Sequence, residues 1–183
     1  MNEYEILLDE VVNEIPVIET ELKINTGLKG SYRNKTIFLD KYLNTVEKRV
    51  LLSEEYSHHR TSIGNIIDYT KPNNRKQEWK ARRDSVERLV TLDQLIDCSY
   101  FRCHTKFECA EFLGITEQFF EEVLAHYHAK YGAIHLYKNH IFIFGNYSIY
   151  CLHAKEIELD IIKTSKKPML SHGPFPHFWE PLQ

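Results

Sequence analysis

Two carboxylates and two imidazoles stand close together in the segment Glu54-Glu55-Tyr56-Ser57-His58-His59. Apolar residues at helical spacing precede this segment, and side chains four positions apart lie on one face of a helix. Glu54 and His58 can therefore present two ligands to one metal ion. Glutamate and histidine are both established ligands of divalent ions in proteins. The segment predicts part of a metal site near the end of a helix.

A third ligand must come from another element, and Glu78 is the best candidate because it opens the next long helix on the same face as Ala81. In the HExxH pattern of zinc peptidases, two histidines hold the metal and the glutamate after the first histidine is the general base. Glu54 takes the place of that first histidine, and Glu55 takes the place of the base. The predicted metal ligands are thus Glu54, His58 and Glu78, and the predicted catalytic residue is Glu55.

A second register pairs Glu55 with His59 at the same spacing, but it puts Tyr56 where the general base should stand. We therefore favour Glu54 with His58 and keep His59 as a group that supports a ligand or replaces one. Two glutamates and one histidine leave the shell around a divalent ion neutral, so a bound water is acidified less than in a shell of two histidines and one carboxylate. Carboxylates also suit harder ions, so Mn²⁺ or another divalent metal is a candidate beside Zn²⁺.

The elements that must position these residues follow from the hydrophobic pattern. Apolar residues at helical spacing predict helices over Tyr4–Val12, from Thr45 to His58, and over Gln77–Leu89, Leu92–Ile96, Thr105–Phe112 and Thr116–Lys130. Alternation and turn residues predict strands at Val17-Ile18, Leu28–Tyr32, Thr36–Leu39, Ala133–Tyr137, Ile141–Phe144 and Tyr147–Leu152. Asn44 and Thr45 are candidate helix caps, and Lys71–Lys76 is predicted to be a polar loop.

Composition narrows the class of protein. The 183 residues are 43% hydrophobic and 27% charged, which is typical of a globular domain and excludes disordered and collagen-like chains. A net charge of -3 argues against a polyanion binder that relies on bulk charge. The N-terminal segment lacks the pattern of a signal peptide, and no apolar stretch is long enough to span a membrane, so we expect a cytoplasmic protein without membrane association.

The four cysteines contain no CxxC pair and predict free, mostly buried thiols. Cys98 and Cys103 can approach one another across a turn, but a cytoplasmic setting argues against a structural disulfide between them.

The chain resembles the ImmA/IrrE family of zincin-like metallopeptidases, in the phage- and mobile-element-associated branch whose motif reads E-E-x-x-H-H. The resemblance covers about residue 4 to about residue 132. It is carried, in order, by Leu28-Lys29-Gly30 with Tyr32, Ile37-Phe38-Leu39, Thr45-Val46-Glu47-Lys48-Arg49, Leu51 to His59, Gly64-Asn65-Ile66, Arg75 to Arg82 and Cys109 to Ile115.

The pattern and the resemblance together predict an α+β fold: a zincin-like core of helices with a small N-terminal antiparallel sheet, a helix-turn-helix-like pair and a C-terminal β-meander. The expected divisions are a metallopeptidase domain over 1–132, which includes the helix-turn-helix-like segment 105–130, a small β element over 133–165 and an irregular tail over 166–183. The resemblance also implies that Glu54, His58 and Glu78 hold the metal and that Glu55 is the general base.

For function, the resemblance implies a metal-dependent endopeptidase that cleaves or inactivates a repressor-type transcription regulator of a phage or mobile element. A first alternative is a catalytically inactive zincin-like protein that binds a partner, which Glu54 in place of histidine favours. A second alternative is a helix-turn-helix DNA-binding regulator. Residues 102–132 hold three Lys or Arg against five Glu, which argues against direct nucleic-acid binding through this segment.

Overall fold

The computed structural model describes residues 1–61, 72–145 and 148–155 of the chain. Within these residues the protein is a mixed α+β protein with seven helices and two three-stranded sheets. In chain order the elements are α1 (Glu3–Val12), β1 (Val17–Thr20), α2 (Leu22–Thr26), β2 (Gly30–Arg33), β3 (Thr36–Asp40), α3 (Thr45–Thr61), α4 (Pro72–Leu89), α5 (Leu92–Tyr100), α6 (Lys106–Leu113), α7 (Glu117–Tyr131), β4 (Ile134–Tyr137), β5 (His140–Phe144) and β6 (Ile149–His153).

The described chain divides into two compact units. The first contains Met1–Thr91 together with Gly114–Phe119, and the second contains Leu92–Leu113 and the residues from Phe120 onward. The first unit holds the sheet β1-β3-β2 with α1 to α4, and the second holds α5, α6, most of α7 and the sheet β4-β5-β6.

The sheet of the first unit is mixed rather than antiparallel. The predicted hairpin is confirmed, because β2 pairs antiparallel with β3 across a turn in which Asn34 and Lys35 both have positive φ, at 49° and 56°. The expectation of a wholly antiparallel sheet is wrong, because β1 pairs parallel with β3 and places Val17 opposite Ile37. Residues 21–35 separate the two strands and form α2 and β2, which is enough chain to return β3 in the direction of β1.

Helix α3 is the central helix of the first unit. It begins at the predicted cap, where the Asn44 side chain accepts a hydrogen bond from the Glu47 N–H at 2.9 Å and the Glu47 carboxylate accepts one from the Asn44 N–H at 3.3 Å. It contacts α1, β2, β3 and α4. Leu52 and Tyr56 are its largest fully buried side chains, so α3 runs through the core of this unit.

Helix α4 starts earlier than the sequence pattern predicts. The segment Lys71–Lys76 was expected to be a loop, but the helix already begins at Pro72. Proline suits the first helical position because its fixed φ is already helical and its missing N–H would have no partner there.

The structure also adds the short helix α2 and extends α5 to Tyr100. Three predicted features lie outside the described residues. They are the segment Gly64-Asn65-Ile66, the beginning of the last strand at Tyr147 and the tail from residue 166.

The predicted C-terminal β-meander is confirmed in the second unit, where β4, β5 and β6 pair antiparallel in chain order. Phe142 and Phe144 on β5 are buried and form part of the core of this unit. The order helix, tight turn, helix is also confirmed, since α6 and α7 are separated by a turn in which Gly114 has a φ of 63°.

Candidate metal centre

The buried side chain of Tyr56 fixes the rotation of helix α3 about its axis. Tyr56 is 2% exposed and its hydroxyl donates a hydrogen bond to Glu14 at 2.6 Å. The guanidinium of Arg88 lies 4.6 Å from the centre of the same ring. With Tyr56 anchored in this way, Glu55 faces strand β2 and His58 faces helix α4.

Small hydroxyl side chains bring α3 and α4 together. Ser85 on α4 donates a hydrogen bond to Ser53 on α3 at 3.0 Å, and both side chains are fully buried. One turn further along α3, Ser57 donates to the carboxylate of Asp84 at 2.9 Å. Side chains of this size allow two helices to approach closely. The contact brings the first half of α4, with Glu78, beside the last turns of α3.

His58 and Glu78 meet across this helix pair. Nε2 of His58 lies 3.4 Å from Oε2 of Glu78. That carboxylate oxygen is buried and accepts no hydrogen bond from any described residue. A tetrahedral ion with ligand distances of about 2.1 Å separates its ligand atoms by about 3.4 Å. A buried oxygen without a donor, set at this separation from an imidazole nitrogen, fits a divalent cation bound between the two side chains.

The protonation of His58 is compatible with metal binding. Burial lowers the pKa of His58 below its usual value, and the positive charge of Arg82 lowers it further, although the carboxylate of Glu78 opposes this shift. His58 is therefore neutral at pH 7. Neutral imidazole is the form that binds a metal ion.

Glu55 lies against the edge strand β2. Its pKa is raised to about 7, first by burial and then by the neighbouring carboxylates of Glu54 and Glu78, while a hydrogen bond from the backbone N–H of Tyr32 opposes the rise. Such a carboxyl group can both accept and release a proton near neutral pH, which is what general acid–base catalysis requires. The role of Glu55 as a general base stays a prediction of the sequence pattern.

The contact between Glu55 and β2 was not predicted from the sequence. A methyl group added at Gly30 would lie 3.1 Å from Oε1 of Glu55, so only a residue without a side chain leaves this carboxylate its present position. A glycine inside a predicted strand is a known signal of close approach by another group. That signal does not indicate which group approaches, because the partner lies 25 residues further along the chain.

Glu54 does not complete a ready-made set of ligands. Among the described residues, a group of three or more His, Cys, Asp or Glu ligand atoms within 4.8 Å of one another is found at three cysteines of the second unit, and Glu54 belongs to no such group. Glu54 is near enough to Glu55 to raise the pKa of that group, and its side chain is partly exposed. The structure thus pairs His58 with Glu78, but neither Glu54 nor Glu55 brings a third ligand atom within 4.8 Å of both. Glu54 would have to turn toward His58 to bind the same ion.

His59 occupies a different place from His58. Its Nδ1 lies 3.0 Å from the hydroxyl of Tyr32 on β2, and its ring stacks on Tyr56 at a centroid distance of 6.2 Å. The hydroxyl of Tyr56 is held by Glu14, which removes it from the position of a general base. The choice of the register Glu54 with His58 over the register Glu55 with His59 stays a prediction.

No described helix is both long enough and apolar enough to cross a membrane. Comparisons of the chain with known protein families, with curated proteins and with solved structures find no match. A functional assignment must therefore be supported by the chemistry of the residues that α3, α4 and β2 bring together.

Proposed function

We propose that this chain is a metal-dependent endopeptidase with a zincin-like first unit of the ImmA/IrrE type, and that it cleaves a repressor-type regulatory protein. The observation that carries the proposal is the pairing of His58 Nε2 with the buried, undonated Oε2 of Glu78 at 3.4 Å. Glu55 supports it, since burial and the charges of Glu54 and Glu78 raise the pKa of this carboxyl group to about 7.

In the proposed site, His58 and Glu78 would hold the ion, and Glu54 would supply the third ligand. A divalent ion bound there would polarise the scissile carbonyl and acidify the attacking water. Glu55 accepts the proton of that water and passes it to the leaving amine. The backbone N–H of Tyr32 and the surface at Gly30 hold the Glu55 carboxylate in place during both transfers.

The donor set influences which ion is bound. Two glutamates and one histidine supply more oxygen than nitrogen, and oxygen ligands favour harder ions such as Mn²⁺ more than a set with two histidines does. Zn²⁺ remains compatible with the same residues. Experiments that reload the protein with metal should therefore test both Zn²⁺ and Mn²⁺.

The endopeptidase is tested by Glu55→Gln, which keeps the size of the side chain but cannot accept the proton. Wild type and variant are loaded with Zn²⁺ or Mn²⁺ and incubated with a cell extract that contains repressor-type proteins, and new N-termini are identified by mass spectrometry. We expect new N-termini with the wild type and at least a 100-fold loss with Glu55→Gln, because general acid–base catalysis supplies about 10²–10⁴ in rate. Metal content should not change.

Glu111→Gln is the matched control, since Glu111 is an exposed glutamate of α6 and its substitution should leave cleavage unchanged. Cleavage that persists in Glu55→Gln would contradict the mechanism. A metal-loaded wild type that cleaves nothing in the extract would favour the inactive, partner-binding alternative, which the placement of Glu54 also favours.

A further inference from the structure

Three of the four cysteines form a cluster in the second unit, whereas the residues of the candidate metal centre belong to the first. The sulfur atoms of Cys98, Cys103 and Cys109 all lie within 4.8 Å of one another, and none of the three is in a disulfide. Cys98 and Cys109 are 3% and 1% exposed, while Cys103 is partly exposed. The cluster therefore has two buried thiols and one that solvent can reach.

The end of α5 places Cys103 beside Cys98. After the last turn of the helix, the N–H of Cys103 donates to the carbonyl of Cys98 at 3.0 Å, and the N–H of Arg102 donates to the carbonyl of Ser99 at 3.1 Å. Arg102 has a φ of 56°, which lies in the left-handed region that such a helix end requires and that is seldom adopted by residues other than glycine. The reversal brings the chain back over the helix end.

The start of α6 fixes the third cysteine. Thr105 and Glu108 form a capping box: the Thr105 hydroxyl accepts from the Glu108 N–H at 3.1 Å, and the Glu108 carboxylate accepts from the Thr105 N–H at 2.8 Å. Cys109 follows directly on this capped first turn. Two well-defined helix ends therefore position all three sulfur atoms.

The spacing of the sulfur atoms is compatible with a bound metal ion. With Zn–S distances of about 2.3 Å, tetrahedral ligands lie about 3.8 Å apart, so the sulfur atoms need to move by about 1 Å or less. Metal binding would release thiol protons and replace them with one shared cation.

We propose that Cys98, Cys103 and Cys109 bind a thiophilic metal ion, of which Zn²⁺ is the commonest example, and that this ion joins the end of α5 to the start of α6. Three sulfur ligands leave a fourth coordination position, which water can fill on the exposed side of Cys103. The donors distinguish this ion from one at His58 and Glu78, where no sulfur is present. The proposal does not depend on the peptidase proposal.

The test is a titration of the reduced, metal-free full-length protein with Co²⁺, whose bonds to thiolate sulfur absorb in the near ultraviolet. We expect this absorption in the wild type, and its loss in Cys103→Ser, which changes the partly exposed member of the cluster. Cys151→Ser is the matched control and should keep it, because Cys151 lies outside the cluster. Glu78→Ala should also keep it, since oxygen and nitrogen ligands give no sulfur-to-cobalt band.

Thermal unfolding provides a second readout that does not depend on the spectrum. Excess Zn²⁺ should raise the midpoint of unfolding of the wild type and of Cys151→Ser, and it should have no such effect on Cys103→Ser. Absence of the near-ultraviolet band in the reduced wild type would overturn the proposal. A band of equal intensity in Cys103→Ser would overturn the proposal as well. So would the finding that Cys98 and Cys103 form a disulfide and bind no metal ion.

Discussion

At the scale of single residues, Glu55 illustrates how the surroundings of a carboxyl group set its chemistry. The residue type is the same as that of Glu54, its neighbour, but the Glu55 carboxylate lies against Gly30 of β2 and is partly desolvated there. Burial and two nearby carboxylates raise its pKa to about 7. In the absence of metal, ionising the Glu55 carboxyl group therefore costs more free energy in the folded protein than in the unfolded chain.

This cost predicts a pH dependence of stability. The pKa of Glu55 is about 7 in the folded protein against 4.5 for an unperturbed glutamate, so between these values the folded state holds the proton more tightly. The free energy of unfolding should fall as pH rises from about 4.5 to about 7 and should level off above that range. Glu55→Gln has no charge to bury and should therefore exceed the wild type in stability by roughly 1–3 kcal/mol at pH 8.

Urea unfolding with a chelator present, at pH 5 and at pH 8, measures this difference. At pH 5 the two proteins should differ little, because both carry a largely uncharged side chain at position 55. Glu111→Gln, on the exposed face of α6, should show no comparable change with pH. An equal stability difference at both pH values would mean that burial of the Glu55 charge is not its cause.

At the scale of elements, the contact between α3 and α4 determines whether the candidate ligands can meet. Ser53 and Ser85 are fully buried and hydrogen-bonded to one another, so the two helix backbones are close at this point. Glu78 lies two turns before Ser85 on the same face of α4. Its distance to His58 is therefore sensitive to any change in the separation of the helices.

Ser85→Leu should force the two helices apart. Overpacking of a filled core typically costs 1–3 kcal/mol, and the loss of the hydrogen bond leaves the Ser53 hydroxyl without its partner. We expect a loss of stability of roughly this size in urea unfolding. We also expect a clear loss of metal at fixed free Zn²⁺, because Glu78 moves away from His58.

Arg83→Leu serves as the control on the same helix, since Arg83 is exposed and its replacement adds apolar volume without entering the contact. If Ser85→Leu unfolds at the same urea concentration as Arg83→Leu and binds as much metal, the helix contact is not what positions Glu78.

The elements that were predicted correctly depend on signals carried by adjacent residues. The cap at Asn44 and the turn at Asn34-Lys35 are local, so the sequence pattern located α3 and the β2–β3 hairpin. The parallel pairing of β1 with β3 depends on how residues 21–35 are routed, and no local signal records that route. The start of α4 at Pro72 was missed because the polar residues Lys71–Lys76 predict a loop, although proline is favoured at the first helical position.

The two clusters of potential ligands also differ in whether a local sequence signal predicts them. Helical periodicity alone places Glu54 with His58 on one face and Glu78 on the next helix, so this part of the site was predictable. The cysteine cluster was not, because its members are separated by four and five residues and match no common zinc pattern. Cys103 returns to Cys98 through a helix end in which Arg102 has a left-handed conformation, and no local pattern in the sequence predicts that conformation.

At the scale of the whole molecule, the chain contains two candidate metal sites with different chemistry, one in each compact unit. The first offers carboxylates and an imidazole, and the second offers thiols. Harder ions such as Mn²⁺ prefer the first kind of donor and thiophilic ions prefer the second, while Zn²⁺ is compatible with both. Because no residue is shared between the sites, substitutions in them should affect metal content additively.

The most direct test of the peptidase proposal is elemental analysis by inductively coupled plasma mass spectrometry. The samples are wild type, Glu78→Ala, Cys103→Ser and the double variant, each purified without a chelator or a histidine tag and then incubated with Zn²⁺ and Mn²⁺. We predict that Glu78→Ala loses about one ion per chain relative to its parent, both in the wild-type background and in the Cys103→Ser background. Equal metal content with and without Glu78 would contradict a metal centre at His58 and Glu78, whatever the cysteines bind.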